Sequence, residues 1–208
     1  GPAQVHLYDM IGEWGVTAQD FVGELKPLDG RPIDLHLNSE GGEVFDGLAI
    51  FEALQRHDGQ VTAYVDGLAA SSASFIAMAA DEIVMAERAR MMVHDAHGLA
   101  IGNARNLRAL AEILDDLSGN IADIYAARTG KTAKYWRDQM HGPDGGDGTW
   151  FGAQDAVDAG LADRIAEPRQ RAPKDNAPAY SDQIVPPPNP PVTLDVAAFL
   201  LSMKEIGL

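Results

Sequence analysis

Short strand-like apolar runs alternate with helix-patterned segments through the N-terminal half of the chain, and this alternation constrains the fold more than any other feature. Val5–Asp9 alternates as a strand does, and Thr17–Leu25 reads as a helix. Ile33–Leu37 is a second strand, ending in Asn38-Ser39-Glu40-Gly41-Gly42. A helix should follow, with Val44, Leu48, Phe51 and Leu54 at helical spacing on one face. Val61–Val65 is the next strand, closed by Asp66-Gly67, and a small-residue helix runs from Ser71 to Ala80. Strands at Glu82–Met85 and Met91–His94 complete the series. Repeated β-then-α units of this length define an α/β domain.

From Asn103 to Arg128 the pattern is one long helix. Leu107, Leu110, Leu114, Leu117, Ile121 and Ile124 form an a/d-type seam, which either a partner helix or the chain's own domain could bury. Thr129-Gly130 stops the helix. Gly142–Gly148 is a Gly-rich loop, and Thr149–Ile165 returns to a short helix and a strand. Past Glu167 the composition turns to proline, which reads as an extended linker over 168–193. A short amphipathic helix is expected over 194–208, carrying Phe199, Leu200, Met203 and Ile206. The expected organisation is therefore a 1–167 domain, a tether and a terminal helix.

Composition removes several function classes. With 16 Lys and Arg against 31 Asp and Glu, the net charge of −15 argues against a nucleic-acid partner. The absence of cysteine excludes disulfides, thiolate metal sites and a cysteine nucleophile, and suits a cytoplasmic location. The longest apolar stretch, Leu68–Ala80, is broken by Ser71, Ser72 and Ser74, so no membrane span is expected. Gly130-Lys131-Thr132 resembles the end of a phosphate loop, but the glycine required five residues earlier is Tyr125. No cofactor is expected.

Three segments carry candidate chemistry. In Gly67-Leu68-Ala69-Ala70-Ser71-Ser72-Ala73-Ser74, a strand delivers a serine to a helix start, where backbone N–H groups favour developing negative charge. The bland alternative is a serine N-cap on a tightly packed helix. Gly41-Gly42 can turn N–H groups outward, as an oxyanion hole requires, or can simply serve a strand-to-helix turn. Met91-Met92-Val93-His94-Asp95 ends a strand on a histidine that is placed either as a general base or as a structural residue. His94 and His97 have the spacing of a metal pair, but no further ligand set accompanies them, and no metal is expected. His6, His36, His57 and His141 lie outside any comparable context.

Together, in order and spacing, these segments resemble the proteolytic subunit of the Clp protease (ClpP) from Val5 to Ile165. The family's Asn-Ser-Pro-Gly-Gly appears as Asn38-Ser39-Glu40-Gly41-Gly42, its Gly-x-Ala-Ala-Ser as Gly67–Ser71, and its Met-x-x-His as Met91–His94. Gly12-Glu13-Trp14-Gly15, Val44-Phe45-Asp46-Gly47, Ala69–Ser74 and Thr149-Trp150-Phe151 further resemble the ClpP-like head-maturation (prohead) proteases of tailed phages. The resemblance implies a ClpP/crotonase-like α/β fold of repeated ββα units, a protruding handle helix and a Pro-rich C-terminal tail.

It also implies a serine endopeptidase, with Ser71 as nucleophile, His94 as base, and the N–H groups of Gly42 and Ser72 as oxyanion donors. Aligning Trp150 with the family's aromatic puts the triad acid at Gly148, a departure that leaves Asp147 as first choice, with Asp144 and Asp95 behind it. The implied partners are further copies of the chain, in rings joined by the handle helix, and a capsid or scaffold protein as substrate. The implied location is the host cytoplasm or an immature capsid. Two alternatives stay open: a housekeeping subunit fed by an unfoldase, and an assembly module whose triad has decayed at Gly148. The signal-peptide peptidases share the fold but use a Ser–Lys dyad, and the crotonase-fold acyl-CoA enzymes do not use a Ser–His pair.

Overall fold

In the computed structural model, which describes residues 1–28, 30–143 and 147–167, the strand-like runs join a single seven-stranded sheet. Strands β1 (Ala3–Leu7), β2 (Ile33–Ser39), β3 (Val61–Ala70), β4 (Glu82–Met85) and β7 (Arg164–Ile165) lie side by side in that order, all parallel. Strand β5 (Arg90–Val93) pairs in parallel with the far half of β3, and β6 (Thr149–Gly152) pairs antiparallel with β5. Parallel neighbours need crossover helices, which cover the sheet and bury its strands. Accordingly Leu35, Leu37, Ala63 and Val65 are fully buried beneath α1 (Ala18–Leu25), α2 (Val44–Gln55) and α3 (Ser72–Ala77). The remaining helices are α4 (Ala104–Thr129), α5 (Ala133–His141) and α6 (Ala153–Ala159). The expected ββα repeat occurs as consecutive strands only at β4–β5; the earlier units are single strands, each followed by a helix.

Several local expectations change for identifiable reasons. Strand β3 does not close at Asp66-Gly67 but runs on for ten residues, changing partner as it goes. Thr62–Val65 pair with β4 and Leu68–Ala70 with β5. Asp66 is not a turn residue, because its carboxylate accepts from the Tyr8 hydroxyl at 2.5 Å and contacts His36 Nδ1 at 2.7 Å. Helix α3 ends at Ala77, short of Ala80, and Asp81 then ties the chain back to the sheet by accepting from Val61 N at 2.8 Å. On α2 the buried face is Gly47, Ile50 and Leu54, so Val44, Leu48 and Phe51 are only half-buried.

Helix α4 is capped by the Asn103 side chain at one end and by left-handed Gly130, the expected stop, at the other. Its seam is not one exposed stripe: Ile121 is buried, Leu110, Leu114, Leu117 and Ile124 are half-buried, and Leu107 is exposed. Helix α5 has no counterpart in the sequence reading. Among the described residues no helix is long and apolar enough to cross a membrane. The linker expected over 168–193 and the helix expected over 194–208 lie outside the described residues.

Candidate active site

Strands β3 and β5 deliver the two central residues from adjacent positions. Ala70 pairs with Met92, so Ser71 and His94 emerge together just past the ends of their strands. The Ser71 N–H donates to Met92 O at 3.0 Å, which locks this register at the turn. Ser71 has φ 53° and ψ −127°, and it is the only non-glycine residue with positive φ among the described residues. Such a conformation costs roughly 1–3 kcal/mol and persists only where its surroundings enforce it. Here Ser74 Oγ donates to Ser71 O at 2.5 Å and pairs with the hydroxyl of buried Tyr125 on α4 at 2.7 Å. Burial pushes the Tyr125 phenol pKa up, so this brace stays neutral. The outcome is a Ser71 Oγ standing 2.7 Å from His94 Nε2.

The glycine turn after β2 packs directly on this elbow. A Cβ on Gly41, which has φ 93°, would lie 2.6 Å from Ala70 O and from Ser71 Cβ, so only glycine permits the approach. Ser39 pins the turn: its Oγ donates to Asp9 O at 2.6 Å and accepts from Gly41 N at 3.1 Å. Among the described residues neither Gly42 N–H nor Ser72 N–H has an acceptor in the turns and loops, and both residues line the same groove as Ser71.

At the other face of His94 the geometry is less complete. Gly148 has φ 90°, and a Cβ there would meet Val93 O at 2.3 Å and His94 Cβ at 2.6 Å. Position 148 therefore has no room for a carboxylate, which explains the departure seen in sequence. Asp147 reaches in from solvent, with Oδ1 3.8 Å from His94 Nδ1 and its side chain 93% exposed. That is beyond hydrogen-bond range. Asp95 is engaged elsewhere: Arg137 Nη1 lies 3.1 Å from one carboxylate oxygen and His141 Nε2 3.3 Å from the other. Arg137 also reaches Asp115 at 3.2 Å. Asp144 lies outside the described residues. The group nearest His94 Nδ1 is instead His97, whose own Nδ1 is 3.3 Å away. Burial, then the neighbouring His97, lowers the His94 pKa, while Asp147 and Asp95 oppose that shift. A lowered pKa keeps the imidazole neutral, as a base must be.

These residues border a groove of about 740 Å³ whose walls include Met10, Trp14, Phe45, Ile113, Leu114 and Trp150. Leu110, Leu114 and Leu117 of the α4 seam thus face the groove. No group of three metal-ligating side chains occurs among the described residues. His6 stacks on His36 on the sheet, His57 Nε2 contacts Arg31 O, and His141 joins Asp95. Sequence reasoning missed Arg137 and His141 because it missed α5, whose Thr132 N-cap was a readable signal. It also missed the brace from Ser74 and Tyr125, which couples residues 51 positions apart and leaves no local trace.

Comparison with known proteins points to one family. The family model described as Clp protease matches residues 14–169. The ATP-dependent Clp protease proteolytic subunit 1 of Leifsonia xyli subsp. xyli is 32% identical over 139 residues, covering 66% of this chain and 68% of that protein. An ATP-dependent Clp protease proteolytic subunit of Bacteroides fragilis is 30% identical over 156 residues, covering 72% of each chain. A solved structure of a ClpP1 point mutant from Listeria monocytogenes superposes with a TM-score of 0.67 at 22% identity, over 80% of this chain and 92% of the other, a likeness of fold. The chain belongs to the Clp protease family and is a serine peptidase of the ClpP type. These relatives carry the name of the ATP-dependent subunit, which speaks for the housekeeping alternative and lends no support to the capsid-processing branch.

Proposed function

We propose that the chain is an endopeptidase subunit in which Ser71 is the nucleophile and His94 its general base. The 2.7 Å contact between Ser71 Oγ and His94 Nε2, at a strained strand-to-helix turn, carries this reading. Ser71 Oγ attacks the scissile carbonyl carbon as its proton passes to His94 Nε2. The resulting oxyanion is held by the N–H groups of Gly42 and Ser72. Collapse breaks the C–N bond, and His94 returns the proton to the leaving amine. A water, deprotonated by the same imidazole, then releases the acyl group from Ser71. Asp147 contributes negative charge near the imidazolium but, at 3.8 Å, no hydrogen bond to hold it.

The relatives' names favour an extended polypeptide supplied by an ATP-driven partner. The capsid-processing reading rests on Gly12–Gly15, Ala69–Ser74 and the Pro-rich 168–193 segment. Cleavage of an unfolded model protein tests the chemistry, and Ser71→Ala should abolish it while leaving the circular-dichroism spectrum unchanged. Cleavage undiminished in Ser71→Ala would remove the assignment. Co-purification of an ATPase supports the first reading of the substrate, and nucleotide-independent processing of a scaffold protein supports the second.

A further inference from the structure

We propose that His97 is the positioning residue of this site, its Nδ1 accepting the Nδ1–H of His94 and so fixing the base's tautomer. The inference rests on the Ser71–His94 reading above. To accept the Ser71 proton, His94 must present a bare Nε2, and a neutral imidazole then carries its proton on Nδ1. That N–H needs an acceptor to hold the ring in place. Gly148 has no side chain, Asp95 is held by Arg137 and His141, and Asp147 stands 3.8 Å away in solvent. His97 Nδ1, at 3.3 Å, is nearer than any of these, with the two ring centroids 4.8 Å apart. The arrangement is a line from Ser71 Oγ through His94 to His97, in which His97 is neutral and keeps its own proton on Nε2.

One consequence separates a histidine acceptor from a carboxylate. Protonation of His97 puts hydrogens on both facing Nδ1 atoms, which turns the contact from attractive to repulsive. The charged groups around the pair are Asp147, Asp95 with its Arg137 and His141 partners on α5, and Asp115 on α4. Glu13, Glu40 and Glu43 line the same groove. Activity therefore depends on two imidazoles being neutral, and the acid limb of the kcat profile should be steeper than a single ionisation allows.

The experiment compares His97→Ala, His97→Asn and Asp147→Asn with the parent in steady-state peptide hydrolysis across pH. His97 is exposed, and thermal unfolding of each variant checks that the fold is kept. His97→Ala should lower kcat roughly 10- to 100-fold with KM little changed, less than loss of the base itself. His97→Asn offers a carbonyl acceptor that does not titrate. It should recover most of kcat and reduce the acid limb to one ionisation. Parent-like kcat and pH profile in His97→Ala would overturn the inference, as would a larger loss in Asp147→Asn than in His97→Ala. A parent that neither hydrolyses peptide nor reacts with a fluorophosphonate would instead bring down the Ser71–His94 reading, and this inference with it.

Discussion

Ser71 holds a backbone conformation that glycine adopts more easily than any other residue, and it does so while carrying the hydroxyl proposed as nucleophile. The turn is kept sharp by Ser71 N–H on Met92 O, by Ser74 on Ser71 O, and by the close approach of Gly41. Strain stored in this way has a measurable signature. Ser71→Gly relieves about 1–3 kcal/mol of backbone strain and gives back roughly 0.5–1 kcal/mol of chain entropy. Ser71→Gly should therefore be more stable than Ser71→Ala by about 1 kcal/mol in thermal or denaturant unfolding. An alanine variant as stable as the glycine variant would mean that the turn is not strained. Gly148 shows the opposite constraint at the same scale. A side chain there would collide with Val93 O and His94 Cβ, so the missing acid reflects lack of space beside the base.

At the scale of elements, the sequence exposed what local pattern controls and hid what partners control. Glu82–Met85 is a strand with the limits its short apolar run indicated, and α4 stops at Gly130 as expected. The serine and histidine motifs were legible because each sits where a strand ends. The extension of β3 through Asp66-Gly67 was not legible, because Gly67 reads as a stop until β5 arrives to pair with Leu68–Ala70. Helix α5 was hidden by its overall polarity, since Trp136 and Met140 are its only buried residues. Trp136 nonetheless ties three elements together, packing on Tyr125 of α4 and Phe151 of β6 and donating from Nε1 to Thr129 Oγ1 at 2.8 Å. Trp136→Ala should cost about 3–5 kcal/mol in denaturant unfolding. It should also lower turnover, because α5 carries the Arg137 and His141 that pair with Asp95, the residue next to His94. A loss under about 1 kcal/mol would show that α5 is not part of the fold's cooperative core.

For the whole molecule, the surface around the start of α4 calls for a partner. Leu99 and Ile101 are 92% and 96% exposed, and Leu107 is exposed in the first turn of the helix. Apolar side chains gathered in this way mark an association surface. A second copy of the chain is the occupant we expect, because Leu107, the outermost residue of the α4 a/d-type seam, stays exposed for another apolar surface to cover. Light scattering should show a particle several times the 22.2 kDa chain mass, reduced by Leu99→Asp with Leu107→Asp. A monomeric parent at micromolar concentration would contradict this.

The proposed role of this fold is to activate one serine, Ser71. Only a hydroxyl with a base in contact reacts readily with a fluorophosphonate, and Ser74, being fully buried, is an internal control. Labelling followed by peptide mass mapping should place a single adduct on Ser71, with none on Ser72 or Ser74, and His94→Ala should suppress it. An unlabelled parent, or an adduct that forms equally well in His94→Ala, would contradict the account.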